Sequence, residues 1–123
     1  MIGGAGGFTV AFQAETGACI ATQIDAGLSI AQARATPERL TLSAEPGDTT
    51  LRLEVQDRSV LSTSLQAIGD GVPNVVFPDA LQFWAAFSQA DDLVFDGATP
   101  RRLELRDQAA VLDLMTACLR AAP

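Results

Sequence analysis

Between residues 39 and 66 apolar and polar side chains alternate almost without interruption, and this pattern restricts the fold more than any other feature. Leu40, Leu42 and Ala44 alternate with Arg39, Thr41 and Ser43. Leu51, Leu53 and Val55 then alternate with Arg52, Glu54 and Gln56, and an apolar-polar run continues from Val60 to Leu65. A period of two puts all the apolar residues of a strand on one face of a sheet. Glu45-Pro46-Gly47-Asp48 carries Pro and Gly at the two central positions of a type II turn, and Asp57-Arg58 marks a second tight turn. The segment is therefore expected to be a three-stranded antiparallel meander with one greasy face.

The same reasoning extends outward. Phe8, Val10 and Phe12 alternate with Thr9, Ala11 and Gln13, and after a turn at 15–18 the segment Cys19 to Ile24 returns as a partner strand. Residues 25–38 fit either a strand or an irregular connection. Gly69 to Asn74 reads as a loop and Val75 to Phe77 as a short strand. Pro78 and Asp79 open a helix over about 79–90, by preset φ and by a carboxylate beside the exposed N–H groups. Its Ala80, Phe83, Trp84 and Phe87 make a continuous apolar stripe. Leu93 to Phe95 and Leu103 to Leu105 are strands joined by a turn at 96–100. Asp107 is a plausible N-cap for a last helix over about 108–121, whose stripe of Val111, Leu114, Met115 and Cys118 faces the core. The fold class is α+β: mainly antiparallel sheet with two packed helices, in one domain over residues 8–123. Residues 1–7, with four glycines, are expected to be a flexible leader. They also fail as a dinucleotide loop, because they precede a strand instead of joining a strand to a helix.

Composition removes whole classes of chemistry. The 123 residues hold eight basic side chains, all arginine, against 15 acidic ones, for a net charge of −7, with no Lys, His or Tyr. Such a field repels phosphate backbones, which argues against nucleic acid. Arg101, Arg102 and Arg106 would be divided between two strand faces. Without His there is no imidazole base for a Ser or Cys nucleophile, and without Lys no Schiff base or P-loop lysine. Two cysteines without His do not make a structural zinc site, and no calcium loop is present. Neither a metal nor a cofactor is expected. Carboxylates are the remaining acid–base groups, and Asp91, Asp92 and Asp96 are the one cluster that a carboxylate-only hydrolase would use. Adjacent aspartates on a strand point to opposite faces, so a solvated strand boundary is the plainer reading.

Cys19 and Cys118 allow a single pairing. Joined, they close a loop of about 100 residues, for which chain entropy assigns about 4.7 kcal/mol. Unjoined, they are two small buried hydrophobes. No apolar run is long enough to span a bilayer, and the first residues lack a signal peptide's basic and apolar regions. The chain is thus read as cytosolic or as the mature part of an exported protein. Phe83, Trp84 and Phe87 line either the core or, if exposed, a partner-binding surface.

From about residue 75 onward, Asp79-Ala80-Leu81-Gln82-Phe83-Trp84, Leu93-Val94-Phe95, and Leu103-Glu104-Leu105 running into a helix with Ala110 and Leu114 resemble the closing segment of small secreted bacterial proteins of the invasion-associated locus B type. The resemblance covers under half the chain. It implies a periplasmic or secreted, non-catalytic, β-rich domain and carries over no functional residue. The expected function is a protein-binding module of that compartment. A cytosolic acidic inhibitor or immunity-type protein that masks a basic site is the alternative, and free thiols would favour it.

Overall fold

The computed structural model describes residues 2–68 and 72–121. Eleven strands and two helices follow one another: β1 (Gly3–Ala5), β2 (Phe8–Gln13), β3 (Ala18–Gln23), β4 (Leu28–Ala33), β5 (Leu40–Ser43), β6 (Asp48–Val55), β7 (Arg58–Ser64), β8 (Gln66–Ile68), β9 (Val72–Phe77), α1 (Ala80–Gln89), β10 (Asp92–Gly97), β11 (Arg101–Glu104) and α2 (Gln108–Arg120) among the described residues. The strands form two antiparallel sheets, one of seven strands ordered β1-β2-β3-β4-β5-β9-β8 and one of four ordered β11-β10-β6-β7. The α+β class, the antiparallel pairing and both helices are as the sequence predicts. Residues 25–38, which fitted two readings, contain the regular strand β4.

The meander over 39–66 needs correction. Its three strands exist, but β5 pairs with β4 and β9 in the large sheet, whereas β6 and β7 belong to the small one. The turn at Glu45–Asp48 has the hydrogen bond and the Gly47 φ of +95° that a type II turn requires. It hands the chain from one sheet to the other and does not close a hairpin. Gly97 makes the crossing compact: a Cβ there would stand 2.3 Å from the Gly47 carbonyl oxygen.

Two further expectations change. The glycine-rich start is not a loose leader, because β1 pairs with β2 in the register Gly3↔Val10 to Ala5↔Phe8. The missing side chain at Gly3 lets Leu114 of α2 close over the strand, and a Cβ there would lie 2.9 Å from its Cδ2. Asp107 occupies the N-cap position of α2, but in the left-handed region (φ 55°) and with no capping bond from its carboxylate. Of the predicted loop at 69–74, residues 69–71 lie outside the described residues, and Val72–Asn74 are part of β9.

One core serves both sheets and both helices, drawing Val10, Ile30, Leu42, Leu53 and Phe95 together with Phe83, Phe87, Val111 and Met115. Helix α2 lies over β1–β3, and α1 touches β6, β7 and α2. The ring of Phe87 meets Phe8 edge-on at 5.8 Å between centroids, and Phe83 sits 5.1 Å from Phe77, so α1 also rests on the large sheet. The sulfurs of Cys19 and Cys118 lie at bonding distance, 2.04 Å, with their Cα atoms 6.0 Å apart. This fastens α2 to β3. Arg34 adds a second tie: its Nε donates to the Cys118 carbonyl near the C-terminus of α2, and its guanidinium lies 3.7 Å from the centre of the Phe12 ring.

Candidate functional site

The aromatic stripe of α1 is core. Phe83 and Phe87 are fully buried, which removes both rings from any partner-binding surface, and Trp84, 4% exposed, keeps only an edge at the surface. The helix presents something else. A stripe at positions 80, 83, 84 and 87 leaves Leu81 on the flank of the helix, where it is 80% exposed. Asp79 fixes the first turn by accepting the Leu81 N–H at 3.1 Å, and the Ala80 N–H donates to the Glu38 carbonyl at 2.8 Å. These bonds pin the start of α1 to the β4–β5 loop.

Between this first turn, α2 and the loop lies a groove of about 220 Å³. Ala80, Leu81 and Trp84 form one wall, Leu112, Met115, Thr116 and Leu119 the other, and Gln32 and Pro37 the floor. The floor is rigid for a local reason. The Trp84 indole N–H donates to Gln32 Oε1 at 2.9 Å, and the Gln32 amide nitrogen donates to the Pro37 carbonyl at 2.7 Å, so a buried amide is satisfied on both sides. Glu38 and Asp79 stand at the rim, and neither forms a salt bridge among the described residues. The volume falls below the roughly 300 Å³ at which small-molecule pockets begin. It suits a side chain better than a whole ligand. Sequence reasoning missed this groove, although Leu112 and Leu119, seven residues apart beside the buried stripe of α2, were its visible trace.

The aspartates at 91–96 do not converge on a cleft. Asp91 accepts the Gln56 N–H at 3.0 Å, bracing the β6–β7 turn. Asp92 and Asp96 lie on the outer face of the small sheet within a lattice of charges. Arg102 bonds Asp92 at 2.7 Å and Glu54 at 3.0 Å, while Arg52 bonds Glu54 at 3.0 Å and also pairs with Asp96. The Arg52 guanidinium beside Glu54, helped by Arg102, holds the Glu54 carboxyl below its ordinary pKa. Arg101 turns the other way. Its fork meets both Asp48 oxygens, at 2.7 and 2.8 Å, its Nε and Nη2 donate to the Ala26 carbonyl, and it covers the Phe95 ring at 4.1 Å. The expected division of Arg101 and Arg102 between two faces therefore holds, and each arginine is engaged by carboxylates.

The fold and groove thus define a two-sheet α+β domain with an acidic-rimmed apolar slot. Compared with protein-family models, curated proteins and solved structures, the chain matches none. No helix among the described residues is long and apolar enough to cross a membrane.

Proposed function

We propose that this domain is a non-catalytic protein-binding module of the periplasm or secreted space. In this reading the α1–α2 groove holds one apolar side chain of a basic partner segment. The observation that carries it is Leu81, a large apolar side chain left in water at the mouth of an apolar slot, beside two carboxylates that have no cationic partner among the described residues. Burying a leucine against such a slot is worth roughly 1.5–3 kcal/mol, and lysine or arginine beside Glu38 and Asp79 adds register and approach rate. The net charge of −7 favours the same kind of partner.

The approach of Cys19 to Cys118 supports an oxidising compartment over the cytosolic inhibitor, which would keep two free thiols. The resemblance of residues 75 onward to secreted bacterial proteins points to the same compartment. Asp91, Asp92 and Asp96, tied to a turn and to arginines, lend no support to a carboxylate-only hydrolase.

The single tryptophan of the chain lies in the groove wall and reports on its occupant. Short peptides with a central leucine flanked by lysines should shift Trp84 fluorescence, whereas glutamate-flanked versions should not. Leu81→Asp should abolish the shift and leave stability within about 0.5 kcal/mol, as expected for an exposed position. No response to the basic peptides, or a response that survives Leu81→Asp, would overturn the reading.

A further inference from the structure

Among the described residues each sheet has two edges, and three of the four are short: β1 and β8 have three residues each and β11 has four. A free edge invites another strand, and proteins blunt it by shortening it or placing charge on it. β7 is different. It runs for seven residues, Arg58-Ser59-Val60-Leu61-Ser62-Thr63-Ser64, with no proline, no acid and a single charge at its start. Five of the seven are exposed, Val60 at 42%, and the strand is the last of its sheet.

The ladder shows which of its backbone groups are free. The Leu65 N–H donates to the Thr49 carbonyl at 2.9 Å, and the register runs without interruption from Thr50↔Ser64 to Leu53↔Leu61. Hydrogen-bonded and non-hydrogen-bonded pairs alternate in an antiparallel ladder. Leu65, Thr63 and Leu61 therefore direct their N–H and C=O groups to β6, while those of Ser62 and Ser64 point outward from the sheet, where the Ser64 carbonyl also accepts the Thr63 hydroxyl in a long bond of 3.4 Å. The bulge between Leu53 and Glu54 ends this regular stretch at Leu61.

We propose that β7 is a self-association edge, pairing antiparallel with β7 of a second copy about a two-fold axis at Thr63. In that register Ser62 of each copy lies opposite Ser64 of the other. All the outward groups of the stretch are used in four hydrogen bonds, and the two small sheets become one of eight strands. The paired stretch contains only hydroxyl side chains and no charge. Two molecules of net charge −7 therefore meet where neither presents an acid in the contact. Thr–Thr and Ser–Ser neighbours across strands are favourable pairs. An unrelated protein's strand would find the same hydrogen bonds, but nothing along β7 selects it. The two-fold register matches the edge to itself.

The test is the mass of the purified full chain by sedimentation equilibrium, from micromolar to millimolar concentration. The 12.9 kDa species should double, and more completely as salt rises, because salt screens the repulsion between two acidic copies. Amides of Ser62 and Ser64 should gain hydrogen-exchange protection with concentration. Ser62→Pro removes an N–H that β6 does not use, and should leave a folded chain that stays at the monomer mass. Ser64→Pro should act in the same way. If either variant misfolds, the exchange pattern of the unmodified chain decides alone. A monomer at every concentration, a dimer that survives both prolines in folded form, or protection gained elsewhere would each overturn the proposal. Loss of the dimer on Leu81→Asp would do the same, and would assign the contact to the groove.

Discussion

Arg101 shows how much one side chain can organise. It reaches from β11 to the loop after β3 and to the first residue of β6, so it joins the two sheets where the chain passes between them. Asp48 is almost completely covered, its side chain 1% exposed, whereas Arg101 keeps 18%. Removing the arginine strands a buried carboxylate, which costs about 3 kcal/mol for a pair still partly open to water. Arg101→Met should lower the urea midpoint accordingly, and the double variant Arg101→Met with Asp48→Leu should recover part of the loss. None of this was legible beforehand. The sequence places Arg101 beside a turn and Asp48 at the end of another, and nothing in spacing says that residues 53 apart form a fork. The Gln32–Trp84 bond was hidden for the same reason. Gln32 shares the buried face of β4 with Leu28 and Ile30, and the opposing helix supplies the indole N–H that satisfies its oxygen there.

Alternation at the level of elements told which residues form strands and which face they bury, because both follow from local geometry. It left the choice of neighbour open. Leu42 and Leu53 both point into the core, yet they belong to different sheets, and the turn between them looks the same whether it closes a hairpin or changes sheet. The outer face of the small sheet offers a pH test of such assembly. The carboxyl of Glu54 has a lower pKa folded than unfolded, because the Arg52 and Arg102 guanidiniums favour its charged form. Its contribution is complete above the ordinary glutamate pKa and is lost as pH falls through the depressed folded value. Thermal unfolding followed from neutral into acid should show a midpoint that declines across that window, and Glu54→Gln should flatten the decline. Arg102 is exposed to solvent and Arg52 half-exposed, so the slope should also weaken in high salt.

For the whole molecule, the decisive link is the one between Cys19 and Cys118, 99 residues apart. Closing so long a loop limits the unfolded chain, and the entropy model gives about 4.7 kcal/mol as the upper end. Reductant should therefore lower the urea midpoint substantially, and the unfolded, non-reduced chain should take up no thiol reagent. An unchanged midpoint, or two reactive thiols, would remove the link and move the domain toward the cytosolic reading. The arrangement also orders events in time. Among the described elements α2 comes after all eleven strands in the sequence, yet it covers β1, β2 and β3, the first three. The apolar face of those strands therefore stays uncovered until α2 itself has been made, so the strands that come first in the sequence are among the last to be sealed.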